Sequence, residues 1–450
     1  AERVDAGRAV RAATPRRSLA ELADRDAGYD PVTRVLAHGE GRVAPLLALR
    51  HARMLASPFA FLRGSALLMS DDLVAGASTS LAVTLCGDAH CANFGVFQSP
   101  ERREVFDVND FDETTQGPFE FDLKRLAASL AVVADGAGLT DADQRDVAAT
   151  AASAYQSSIA RFARATRLDV WFAALDLDDG LAELRGFFAD DATRNADDVV
   201  RRARDHDARS FAALVTRADG EPCLRLAPPR VTGLSDGSDG TLTRAQVESV
   251  MTGWRSTLSS DRRVLAAQFD LVDAAHLVRG VGSVGTECFA ALFTGRDRDD
   301  VLVLQVKEAL RPVLGVARGV RGAKDEGLRV VSGQRLMQAT PDDLLGWHSL
   351  EVAGRRRSFY VRQLYDGRAA VDVERLGLSS LRAYARVCAW ALARAHARSG
   401  LSAEIAGYVG EGRQFARCVA DFALAYRDRN AEDFALFTDA ARQGRVSVES

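Results

Sequence analysis

Residues 85–95, LCGDAHCANFG, set three groups capable of chemistry into an otherwise apolar stretch: Asp88, His90 and Asn93. A second stretch, VFDVNDFDETTQGPFEFDLKRLA, carries carboxylates at 107, 110, 112, 113, 120 and 122. Carboxylate and amide oxygens suit a hard divalent cation such as Mg2+, which takes few protein carboxylates. A third, Gly280-Val-Gly282-Ser283-Val-Gly285, is a glycine-rich loop of the kind whose backbone can approach phosphates. Lys307 follows in VLVLQVKEA and is one of three lysines, with Lys124 and Lys324, among 58 basic residues. A chain that uses arginine for nearly every cation keeps lysine where a compact ammonium is required. Each stretch also has a plainer reading. The first is an Asp–Asn turn behind a strand, the second an acidic turn and a helix N-terminal carboxylate, and Lys307 a strand-end lysine that snorkels.

These groups need elements to hold them. LAVTLC (81–86) reads as a buried strand, and residues 59–69 as a strand or buried turn around Arg63-Gly64. Residues 94–97 and 104–109 predict a hairpin. A helix starts at Phe121, with Leu123, Leu126, Leu130 and Val133 on one face and Gly136 and Gly138 at its end. Thr140-x-x-Asp143 caps the next helix. AHLVRGV, ECFAALF, VLVLQVKEA and FYVRQLYD read as antiparallel strands, which makes the glycine loop a hairpin and not the start of a dinucleotide-binding helix. GLSDGSDGT (233–241) marks a linker. The expected segments are a helical extension (1–58), the catalytic-loop and metal part with a helical acceptor region (59–265), a nucleotide-binding sheet (266–366) and closing helices (367–450).

Asp88 followed by Asn93 resembles the catalytic loop of protein kinases. With His90 between them it resembles the form found in small-molecule kinases such as the aminoglycoside phosphotransferases. That resemblance implies roles. Asp88 is the base for an acceptor hydroxyl, and His90 supports the loop or reaches the acceptor. Asn93 and Asp110, with Asp112, hold Mg2+; Asp110-Phe111-Asp112 occupies the D-F-G place, with aspartate for glycine. Gly280, Gly282, Ser283, Gly285 and Lys307 position the phosphates of ATP. Glu326 or Gln334 holds Lys307, and the backbone at Gln363 and Leu364 meets the adenine edge. The order differs from an ordinary kinase: catalytic loop and metal aspartate precede glycine loop, lysine and hinge. The implied fold class is therefore α+β, a protein-kinase-like bilobal fold in circularly permuted order, with a mostly helical lobe and a small antiparallel-sheet lobe. RMLASPFAFLRGSA, CGDAHCANFG, VFDVNDFDE, LVLQVKEA, RVVSGQRLMQA, FYVRQL and LARAHARSG together resemble the bacterial family called domain of unknown function 2252, from about Pro31 to Asp433. That name implies no activity. Arg63, inside one of these motifs, either contacts phosphate or substrate or holds a buried carboxylate.

Composition bounds these expectations. The 450 residues are 47% hydrophobic and 27% charged, with net charge −4 and a pI near 6.1. No basic excess points to nucleic acid, and no apolar run reaches the roughly 18 residues of a membrane span. AERVDAGRAVRAATPRR lacks the apolar core of a secretory signal, and six cysteines without a C-x-x-C pair read as reduced thiols of a cytoplasmic protein. The expected function is an ATP- and Mg2+-dependent phosphotransferase acting on a hydroxyl of a small-molecule or protein acceptor. Three alternatives remain: AMP transfer by the same site; a two-metal phosphoesterase built from Asp88, His90, Asp107, Asp110 and Asp112; and a non-catalytic nucleotide-binding regulator.

Overall fold

A computed structural model of the protein describes residues 2–40, 42–43, 46–176, 211, 213–237, 241–278, 284–364 and 369–449. The fold is α+β with antiparallel sheets. Its largest core gathers around the helix Glu120–Gly136, whose residues from Glu120 to Ala134 are all buried. A helix buried on every side is central and needs neighbours all round. They include Asp141–Phe162, Leu378–Ala397 and Gln414–Arg442. The Thr140 side chain accepts from the amide of Asp143, as its position before that helix predicts.

The predicted strand 81–86 is Ala82–Leu85, paired antiparallel with Thr115–Pro118. The predicted hairpin is Phe94–Gln98 with Glu104–Val108, in the register Phe94↔Val108. Six strands form the main sheet, in the order Gly346–Val352, Arg355–Gln363, Val301–Glu308, Cys288–Thr294, Asp270–Leu277, Val231–Gly233. Cys288–Thr294 lies antiparallel between Val301–Glu308 and Asp270–Leu277, with Cys288 opposite Lys307 and Phe289 opposite His276. The glycine-rich stretch therefore links two adjacent antiparallel strands, as the hairpin reading expects. Phe289, Ala291 and Phe293 join one core with Trp254, while Cys288, Ala290 and Leu292 join another. A sheet covered on both faces reads as a continuous apolar run, which is why ECFAALF lacks alternation.

Residues 59–69 are not a strand. They form the helices Pro58–Gly64 and Ala66–Ala75. Ser57 accepts from the amide of Ala60 and Pro58 takes the first helical position, a helix start that outweighs the apolar run. Nor are residues 1–58 a simple extension. Helix Glu2–Ala13 packs on Ser402–Val409, and Arg25 bridges Asp72 and Asp433 at 2.7–2.9 Å. Among the described residues no helix is long and apolar enough to cross a membrane. The six cysteines form no disulfide.

Candidate functional site

Four segments meet at one cleft. Asp88, His90 and Asn93 line it, with Asp110, Asp112 and Glu113 beside them. Thr286 and Glu308 arrive from the sheet, and His38, Arg42, Arg50 and Arg63 from the first 64 residues. The open space is about 110 Å³.

The loop at 86–93 is pinned from the central helix. Asp122 accepts from the amides of Cys86 (2.8 Å) and Gly87 (3.0 Å). Arg125, one helical residue group further on, donates to Asp88 Oδ1 (2.7 Å) and to the carbonyl of Leu62. Gly87 has φ +85°, and a Cβ there would lie 2.0 Å from the carbonyl oxygen of Glu113. Only glycine permits that approach. Asn93 donates to the Asp88 carbonyl (2.8 Å), leaving its Oδ1 as the acceptor. His90 Nε2 lies 3.8 Å from Asp88 Oδ2. Burial, with Arg63 and Arg125 nearby, lowers the His90 pKa well below its ordinary value, so the ring stays neutral.

Asp112 joins the loop side to the sheet. It is ion-paired to Lys307, 195 residues later, and accepts from the Tyr360 hydroxyl (2.5 Å). Burial works against the Asp112 carboxylate, but Lys307 and Tyr360 more than offset it, so its pKa falls below the usual range. Burial likewise opposes the Lys307 ammonium, and Asp112, Tyr360 and Asp110 together raise its pKa. Asp110 is pushed up by burial and by Asp112; one of its oxygens accepts from the Asp112 amide at 3.2 Å.

Several sequence expectations need correction. Glu326 does not hold Lys307. It is held locally, accepting from Ala323 N (2.7 Å), just before its helix, and from Arg329 Nε (2.5 Å). Gln334 donates to Gln338 instead. Asp112 is the lysine's partner, so both of its oxygens are engaged and it is not poised as a cation ligand. The amides expected to meet adenine are spent inside the protein: Gln363 N donates to Asp342 (2.6 Å) and Leu364 N to the Val303 carbonyl (3.0 Å). Gly280, Gly282 and Ser283 lie outside the described residues. Gly285 has φ +87°, and its carbonyl accepts from the amide of Val43 (2.7 Å).

Sequence reasoning missed Arg50, Arg125, Tyr360 and His38. With arginine as the default cation throughout, an arginine carries no signal by type. Arg50 and Arg125 betray themselves only by falling among apolar residues in their helices. The lysine argument fared better: Lys124 and Lys307 are buried and only Lys324 is exposed. Lys124 stands 4.2 Å above the Phe422 ring, and burial lowers its pKa to about 8.

As for a cation, no three His, Cys, Asp or Glu side chains converge as a ready metal centre among the described residues. Asn93 and Asp110 offer the hard oxygen donors that Mg2+ prefers. Neither the curated proteins nor the solved structures compared with the chain give a match. A family model does match, over residues 42–440, and it covers the pinned loop, the Asp110–Asp112 turn and Lys307 together: the chain belongs to the bacterial family of uncharacterized proteins DUF2252.

Proposed function

We propose that the protein is an ATP- and Mg2+-dependent phosphotransferase, of kinase-like arrangement in permuted order. One observation carries the reading. Asp88, Asn93 and Asp110 line a single cleft, and Asp112 in that cleft is bonded to Lys307 from a sheet encoded about 200 residues away. Phosphoryl transfer needs little covalent chemistry from a protein; it needs positioning and neutralised charge. Asp88, held by Arg125 through one oxygen, turns the other to an acceptor hydroxyl and takes its proton. Asn93 and Asp110 hold the cation, which when bound neutralises charge on the transferring phosphate. Lys307 exchanges Asp112 for phosphate oxygens. Neutral His90 packs behind the loop. The purine of ATP is recognised elsewhere than at the Gln363 and Leu364 amides.

The phosphoesterase reading is weaker. It needs Asp107 as a ligand, yet Asp107 is buried against Arg394 and also accepts from Ala339 N (3.0 Å). AMP transfer would use the same groups.

Calorimetric titration with Mg-ATP tests the proposal in the parent chain, Lys307→Met and Asp110→Asn, each checked for folding by circular dichroism. Saturable binding in the parent and at least tenfold weaker binding in both folded variants is expected. No binding by the parent, or equal binding by all three, sinks it.

A further inference from the structure

The cleft has a second end that the transfer chemistry does not use. Arg50 lies on the helix Leu47–Met54 and is 1% exposed. Its Nη2 donates to the carbonyl of Gly64 (2.5 Å), while Nε and Nη1 are buried with no hydrogen-bond partner. Among the described residues no carboxylate pairs with it, and its charged neighbour is another arginine, Arg42. Arg63 lines the same corner, its Nε also buried and unbonded. His38 completes it; burial and the charges of Arg42, Arg50 and Arg34 lower its pKa to about 3, so it adds no charge of its own.

Among the described residues the carboxylates of the cleft make no ion pair with Arg50 or Arg63, though Glu113, Asp112 and Glu308 act on Arg42. Asp88 is held by Arg125 (2.7 Å) and Asp112 by Lys307. Glu308 takes both prongs of Arg357 at 2.7 Å. Burial raises the Glu113 pKa to about 7, and its carboxylate accepts from the Val313 amide (2.6 Å). The corner is left with buried guanidinium nitrogens of Arg50 and Arg63 that have no hydrogen-bond partner among the described residues, on residues that line the cleft. Removing a charge from water without a partner is costly, and an arginine fork matches the oxygens of a tetrahedral oxyanion in a way an ammonium does not.

We propose that Arg50 and Arg63, with Arg42 beside them, form a binding site for a phosphate group. The site uses none of Asp88, Asn93, Asp110 or Lys307; only the source of its phosphate rests on the phosphotransferase reading. The phosphate comes either from the nucleotide's terminal end or from an acceptor that already carries one. Both share the same chemistry, and competition separates them.

The test is titration of inorganic phosphate, at fixed ionic strength set with chloride, into the parent, Arg50→Gln and Arg63→Gln. Arg63 is partly exposed, so its variant keeps the test alive if the buried Arg50 variant fails to fold. Saturable binding by the parent and at least tenfold weaker binding by each folded variant is expected. Repeating the parent titration with Mg-ATP present identifies the source: lost phosphate binding assigns the corner to the nucleotide, and retained binding assigns it to the acceptor. A parent that binds no phosphate, or folded variants that bind it as well as the parent, overturns the proposal. Phosphate binding in a chain that ignores Mg-ATP leaves this site standing while the phosphotransferase reading falls.

Discussion

The two ends of the cleft handle charge in opposite ways. At the sheet end, Lys307, Asp112 and Tyr360 answer one another, with Asp110 alongside. At the helical end, Arg50 and Arg63 are buried or half-buried, and Arg50 Nε and Nη1 and Arg63 Nε meet no hydrogen-bond partner among the described residues. A paired buried charge organises a fold around itself. An unpaired one costs stability and persists where something outside the chain supplies the partner. The same cleft thus holds one buried cation that is paired and another that is not, and substitutions at the two ends should act with opposite sign.

The largest effect belongs to the paired end. Lys307→Met leaves the partly buried Asp112 and Asp110 without their buried cation, and denaturant unfolding should show a loss of about 2–4 kcal/mol. A loss below about 1 kcal/mol would mean the pair is solvated and the contrast is false. At the unpaired end, Arg50→Met should raise stability in phosphate-free buffer by about 1–2 kcal/mol, since it removes an unsatisfied buried charge. A clear destabilisation there would show that Arg50 is a structural strut.

The smallest effect sharpens the comparison from just outside the cleft. Glu287 accepts from Leu242 N (3.1 Å) and Arg357 Nη1 (3.1 Å). Burial nonetheless raises its pKa to about 7 from 4.5, with Arg357 only partly offsetting it. The folded state therefore binds the proton more tightly than the unfolded one, and stability declines as pH rises from about 4.5 to 7. Glu287→Gln should flatten that decline. An unchanged slope in unfolding measured across this window would assign the dependence to other groups.

Much of this site was legible before any fold. Asp88-x-x-x-x-Asn93, the Asp110-Phe-Asp112 turn and a rare lysine on a strand carry their chemistry in residue type and short spacing, and strand and helix periods placed them on elements. The hairpin of Phe94–Gln98 with Glu104–Val108 and the antiparallel strands flanking the glycine loop follow from the same local patterns, while the register Phe94↔Val108 comes from the structure. Local pattern also misled. In residues 59–69 the apolar run suggested a strand, while the capping Ser57 and the first-turn Pro58 had already announced a helix.

What the chain alone determined, then, was an inventory: which groups could act, and roughly on which elements. Partnership was decided only in three dimensions. Lys307 took Asp112 and not Glu326, whose carboxylate is engaged by the Ala323 amide and by Arg329. The amides of Gln363 and Leu364 were committed to Asp342 and Val303. Arg50, indistinguishable by type from dozens of other arginines, was set apart by burial without a counter-ion among the described residues. The physical reason is common to all three. Residue type states what a group can bond to, but a bond depends on distance and on which competitors arrive first, and those are properties of the folded chain.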